Sequence, residues 1–182
     1  MFSFAGKALS GIVSAAMMLF SSYEGNHAAF SDVLIGHDAD VIRIRTKLVN
    51  AFEHDFEQIF RSGSPVIVTY SLTVKRDGYV IDTLDYHNTI LFDPMNRYFQ
   101  IDAEAANYYT YTDSCEELRV IISQIDIFYD YWGIEGTYSF DLMAYMDRIT
   151  LESLEREFDP MLLWHNRTPK ISFDYKVWSY ES

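Results

Sequence analysis

Residues 41–74 constrain the fold more than any other stretch. Residues 41–49 alternate strictly, with Ile42, Ile44, Thr46 and Leu48 on one side and Arg43, Arg45 and Lys47 on the other. A period of two in so β-branched a run predicts a half-buried strand. The period then changes. Over residues 50–61, Ala51, Phe52, Phe56, Ile59 and Phe60 recur at helical spacing, opposite Glu53, Asp55, Glu57 and Gln58, which predicts an amphipathic helix. Asn50 is placed to cap it, with Glu53 three residues on as in a capping box. Ser62-Gly63-Ser64-Pro65 stops it, with Gly63 suited to a left-handed C-terminal cap. A second alternating strand follows, with Val66, Val68, Tyr70, Leu72 and Val74 against Ile67, Thr69, Ser71, Thr73 and Lys75.

The remaining chain continues in short strands. Residues 30–36 form a candidate edge strand. Lys75-Arg76-Asp77-Gly78 is a hairpin turn. Residues 79–84 and 86–92 read as strands, the second with Tyr86, Asn88, Ile90 and Phe92 on one face. Asp93-Pro94-Met95-Asn96 turns the chain into a strand over residues 97–101. Residues 107–112 are polar-aromatic without a clear period. Asp113 or Ser114 caps a helix, Glu116 or Glu117 completes its box, and Leu118, Ile121, Ile122 and Ile125 form its buried stripe. Residues 137–147 alternate as a strand. Residues 149–158 suit a helical turn or two, with Leu151, Leu154 and Phe158 inward, and Asp159-Pro160 ends them. Residues 170–178 close the chain as a strand with Ile171, Phe173, Tyr175 and Val177 inward. Antiparallel strands joined by turns, with two or three short helices in the connections, predict a mainly β chain. The expected architecture is an antiparallel β-sandwich, immunoglobulin-like in general form, ahead of a partly open β-barrel.

At the N-terminus, Lys7 precedes residues 8–20 (ALSGIVSAAMMLF), which carry no charge. That is the length of a signal peptide's apolar region and short of a membrane span. Cleavage after Ala28 would leave a single β-domain over residues 29–182. An uncleaved membrane anchor and an amphipathic helix lying on the domain are the alternatives. The leader implies a periplasmic or exported protein, anchored to the membrane if residues 1–28 are retained. The formal net charge of −13 opposes binding to DNA, RNA or anionic lipid, whose phosphates would be repelled. With Cys115 as its one cysteine, the chain has neither an internal disulfide framework nor a cysteine-based zinc site.

The order of strand, helix, Ser62-Gly63-x-Pro65, strand, then a long strand meeting Asp93-Pro94-Met95-Asn96-Arg97-Tyr98-Phe99-Gln100-Ile101 resembles the uncharacterised bacterial family called domain of unknown function 4390. Arg97 and Tyr98 match that family's segment, with Asn96 and Phe92 where Thr and Tyr are common. The tryptophan-rich middle of the family is missing, because residues 76–85 contain no Trp. The resemblance covers roughly residues 40–178 in order of elements. It implies a secreted or membrane-associated bacterial β-domain with no established activity, and it transfers no catalytic residue.

No chemical motif assembles. His27, His37, His54, His87 and His165 show no metal-ligand spacing. His37 with Asp38 and Asp40 reads as a polar loop, since two carboxylates and a histidine rarely suffice for a divalent ion. Asp126, Asp130 and Glu135 lie among Tyr129, Tyr131 and Trp132. Those are the residue types of a glycosidase site and equally of an acidic helix end and loop. Cys115 has no nucleophile signature around it. Gly133-x-x-Gly136 is too short for a phosphate loop, and the glycosylation triplet Asn166-Arg167-Thr168 is followed by Pro169. The chain therefore reads as non-enzymatic, with no catalytic residue, metal or cofactor expected.

The aromatic content of 16% is high enough to ask where the rings go. Tyr108, Tyr109, Tyr111, Tyr129, Tyr131 and Trp132 flank the helix expected over residues 114–128, and half of them should point outward if that helix buries its Ile stripe. Tyr and Trp dominate binding hot spots, so these six form a candidate protein-binding site. An aromatic core is the competing reading. Two function classes follow. One is a cell-envelope interaction domain with an envelope protein partner. The other is a small-ligand or lipid carrier with an apolar cavity inside the sandwich or barrel.

Overall fold

The computed structural model describes residues 25–38, 40–151 and 156–178. The expected leader lies outside the described residues as far as residue 24. Residues 25–28 belong to the folded part: the Asn26 amide N–H donates to Leu163 at 2.7 Å, its side chain reaches the carbonyls of Ala51 and Glu53, and Ala28 is buried.

The first sheet is centred on β3 (Val41–Val49). Strands β1 (Ala29–Phe30) and β2 (Leu34–Asp38) follow one another along one of its edges, and β8 (Gln124–Asp130) takes the other. The alternation of residues 41–49 is realised: Ile42, Ile44, Thr46 and Leu48 are buried and the basic residues face out. The second sheet has six strands in the order β12-β9-β4-β5-β6-β7 and curls into a half-barrel. These are β4 (Val66–Arg76), β5 (Tyr79–Asp93), β6 (Tyr98–Ala103), β7 (Tyr108–Thr112), β9 (Gly136–Met146) and β12 (Lys170–Val177). All strand pairings in both sheets are antiparallel.

The inner faces of the two sheets meet in one core. Tyr129 of β8 lies edge-on to Phe140 of β9 at 6.1 Å, and His37 Nδ1 of β2 is 2.7 Å from the Tyr175 hydroxyl of β12. Val66, Val68, Tyr70 and Leu72 on β4 are fully buried between them. Residues 79–93, expected as two strands, form one long strand. Residues 107–112, which have no clear period, become the edge strand β7. The helical turns expected over residues 149–158 are instead the hairpin strands β10 (Ile149–Leu151) and β11 (Arg156–Phe158), where Ile149 pairs with Phe158; Leu154 lies outside the described residues.

Both predicted helices are shorter than their sequence periods. Only α1 (Phe56–Phe60) forms within residues 50–61. Asn50 and His54 take φ values of +53° and +55°, which no helix admits. The loop is held that way from a distance: the Trp164 indole N–H donates to the Ala51 carbonyl at 2.7 Å. Gly63 does take the left-handed conformation, at φ +83°. Phe52, Phe56 and Phe60 cluster with Trp164 in the core. The second helix, α2 (Cys115–Ser123), begins as expected, with Ser114 Oγ accepting from the Glu117 N–H at 3.2 Å. The Glu117 carboxylate accepts from the Thr112 hydroxyl rather than closing the box on Ser114. The helix stops at Ser123 because the chain from Gln124 onward pairs with β3.

Candidate functional site

That early stop divides the six candidate aromatics. On a strand, Ile125, Ile127 and Tyr129 share the buried face and Gln124, Asp126, Phe128 and Asp130 the other. Tyr129 and, just past the strand, Tyr131 are only 7% and 6% exposed. Both rings meet Tyr138 edge-on, and burial pushes the Tyr129 phenol above its ordinary pKa. These two are core residues, so the expectation that they take part in an exposed patch does not hold.

Tyr108, Tyr109 and Tyr111 are about half exposed on β7, an edge of the larger sheet. Tyr109 and Tyr111 stand on its outer face with their hydroxyls 2.7 Å apart, and Tyr98 of β6 lies edge-on to Tyr111 at 5.3 Å. Asp102 is opposite Tyr109 in the register. The result is a polar aromatic surface with an acidic neighbour.

Trp132 is different. It is 81% exposed and holds φ at +55°, followed by Gly133 at +64°. The Ile134 N–H closes the turn on the Tyr131 carbonyl at 3.1 Å, so Trp132 and Gly133 are the two central positions of a tight turn with positive φ at both. Glycine suits such positions and asparagine tolerates them; a bulky residue there costs about 1–2 kcal/mol. The turn is held at both ends: the Tyr131 N–H donates to the Asp40 carbonyl at 2.9 Å, and the hydroxyl of the buried Tyr138 donates to the Ile134 carbonyl at 2.8 Å.

The register brings further apolar side chains to the same end. Gly136, at the end of this loop, is opposite Val177, and Trp178 follows directly. Tyr138 is opposite Arg76, which is opposite Tyr79 at the start of β5. Trp178, Tyr79, Val80 and Ile134 are all well exposed. Three separate segments thus place large apolar side chains at one end of the molecule. The sequence signal for Trp132 was its place among the aromatics flanking the expected helix; Tyr79, Val80 and Trp178 gave none, because each sits in a strand pattern that looks half-buried.

The other candidate groups do not converge. Asp126 is taken by Arg43, whose Nε donates to it at 2.7 Å, and the guanidinium holds its pKa below the usual carboxylate range. Asp130 is four residues along the same strand, or about 13 Å away, beyond the roughly 5–10 Å of glycosidase carboxylate pairs. His37 turns inward to Tyr175 while Asp38 lies on the opposite face of β2. Burial pushes the Cys115 thiol pKa up, which keeps it protonated at neutral pH. Among the described residues no three His, Cys, Asp or Glu side chains gather as a metal shell, and no helix is long and apolar enough to cross a membrane. Compared with known protein families, curated proteins and solved structures, the chain matches none.

Proposed function

We propose that the chain is a non-enzymatic, periplasmic or exported interaction domain of the cell envelope, and that Trp132 centres its contact with an envelope protein. The observation that carries this reading is the strained, exposed tryptophan. An L-residue held at positive φ is destabilising; such strain persists where the surroundings enforce it, and it is concentrated at functional sites. Here its effect is to project an indole into solvent from a turn braced on both sides. Trp178, Tyr79 and Ile134 supply an apolar surround, with Asp40 and Glu135 at the edge, as in interfaces with an apolar centre and a polar rim. Tyr108, Tyr109 and Tyr111 on β7 offer a second, more polar contact. The two sheets meeting in one core support a sandwich reading of the fold. The uncharged run of residues 8–20 and the resemblance to domain of unknown function 4390 support the location.

The test is affinity capture with the tagged full chain from its own cell envelope. Trp132→Gly, which suits the turn, should remain folded and lose the captured partner. Trp178→Ser should weaken capture, and Met95→Ser, in the exposed turn between β5 and β6, should leave it intact. Capture that survives Trp132→Gly would overturn the reading.

A further inference from the structure

The outer face of the smaller sheet holds an open trough of about 900 Å3. Its floor follows from the register. Gly36 of β2 lies opposite Arg43 of β3, which lies opposite Phe128 of β8, and Leu34, Arg45 and Asp126 form the next row. Leu34 and Phe128 are exposed apolar walls, and Val41 borders the trough along β3. Arg43 is pinned between the Asp126 carboxylate and the Phe128 ring, with Cζ 5.0 Å from the ring centroid. Arg45 is exposed and, among the described residues, makes no ion pair. It is the trough's available cation.

Gly36 is the informative residue. Glycine inside a strand weakens it, and the usual reasons are a positive φ, a bulge, or crowding against the fold itself. None applies. Gly36 is not in the left-handed region, β2 runs along β3 without a register shift, and an added Cβ would meet no atom within 4 Å. A glycine in a strand can also mark the close approach of something from outside, and the space over Gly36 is open to it. Its missing side chain clears the trough floor beside the fixed guanidinium.

We propose that this trough binds a small anionic amphiphile, with the apolar body on Leu34, Gly36 and Phe128 and the anionic head on Arg45. The volume falls in the range that holds one small ligand. Charge complementarity selects the class. On a chain of net charge −13 an anion is repelled in general; here Asp126 is bound by Arg43, and Asp38 lines the far end of the trough beside Val41, so the head sits at the Leu34 end, over Arg45. The site is independent of the Trp132 contact.

The test uses the full chain, with 8-anilinonaphthalene-1-sulfonate as a fluorescent probe and decanoate as its competitor. One saturable site displaced by decanoate, and much less well by uncharged decanol, is the expected result. Gly36→Leu should fill the floor, keep the melting temperature at or above that of the parent, and weaken probe and decanoate binding about tenfold or more. Arg45→Gln should weaken both about fivefold, the scale of one partly exposed ion pair. Should Gly36→Leu fail to fold, Arg45→Gln decides alone. Absence of saturable binding, affinity unchanged in the folded variants, or decanol competing as well as decanoate would overturn the proposal.

Discussion

The Tyr70 hydroxyl, on the inner face of β4, donates a 2.7 Å hydrogen bond to the Ile122 carbonyl in the last turn of α2. The Asn88 side-chain amide donates to the same oxygen at 3.1 Å, and its carbonyl accepts from the Ala105 N–H at 3.0 Å. A helix C-terminus leaves carbonyls without intrahelical partners, and here two buried side chains of the sheet satisfy one of them. Tyr70→Phe should cost about 1 kcal/mol, because Asn88 still reaches the oxygen. Asn88→Leu should cost about 1–3 kcal/mol, because it also strands the Ala105 N–H. The double variant should cost more than the two together, since only then is the carbonyl left bare. Urea denaturation of the four proteins measures the coupling, and strict additivity would contradict the shared cap.

The same tyrosine predicts an alkaline limit. Full burial holds the Tyr70 phenol far above its ordinary pKa. A folded-state pKa raised in this way gives stability that is complete below the unfolded value of about 10 and is lost as pH climbs toward the folded one. The melting temperature should therefore fall above about pH 10, and Tyr70→Phe should flatten that fall. The shallower burial of Tyr86 and Tyr129 acts in the same direction, so some slope should persist.

Phe60 is fully buried beside Phe52 and Phe56. Phe60→Ala should cost about 3–5 kcal/mol by chemical denaturation, the range for emptying a large aromatic site. A loss under about 1 kcal/mol, typical of surface positions, would mean that α1 does not seal the core.

Neighbouring aromatics should respond in opposite ways. Tyr129→Ala removes a core ring that touches Tyr138 and Phe140 and should cost about 3 kcal/mol or more. Trp132→Gly, three residues on, should leave stability unchanged or raise it by up to about 1 kcal/mol, as relief of the left-handed strain offsets glycine's greater unfolded-state freedom. Thermal melts of the two variants separate the roles.

Acid should act through a few carboxylates. Arg43 holds Asp126 below the usual carboxylate range, Lys75 and Ser172 do so for Asp141, and the Asn96 backbone and side chain do so for Asp93 in its turn. A lowered folded-state pKa contributes stability that is present above the unfolded value of about 3.9 and is lost as pH falls through the folded one. All three are largely solvated, so each effect is small. Asp126→Asn should lower stability at neutral pH and leave a shallower acid slope; an unchanged slope would show that its ion pair is inert.

The strands at residues 41–49 and 66–76 were legible because one face of each is buried and the other is not, which writes a period of two directly into the chain. The Ser114 cap was legible because it is local. The region from Ile121 to Tyr131 was not. Ile121, Ile122 and Ile125 fit a helical stripe, while Ile125, Ile127, Tyr129 and Tyr131 fit a strand, and the arbiter is pairing with Arg43 and Ile44 far back in sequence. That choice carried Tyr129 and Tyr131 inward and left Trp132 outside. The helix expected at residues 50–61 starts only at Phe56 for a related reason: Trp164 and Asn26 seize the Ala51 carbonyl from distant parts of the chain. No local propensity records such a partner.

Central strand β4 finds β5 immediately, yet its other neighbour, β9, comes only after the chain has run from Arg76 to Gly136. At roughly 5–20 residues per second of synthesis, that interval lasts several seconds. Throughout it, β4 offers an open edge and a bare row of Val66, Val68, Tyr70 and Leu72, and β3 waits similarly for β8. The order of strands therefore delays completion until most of the chain has been made, and leaves the nascent polypeptide open to chaperones, or to aggregation, for that time.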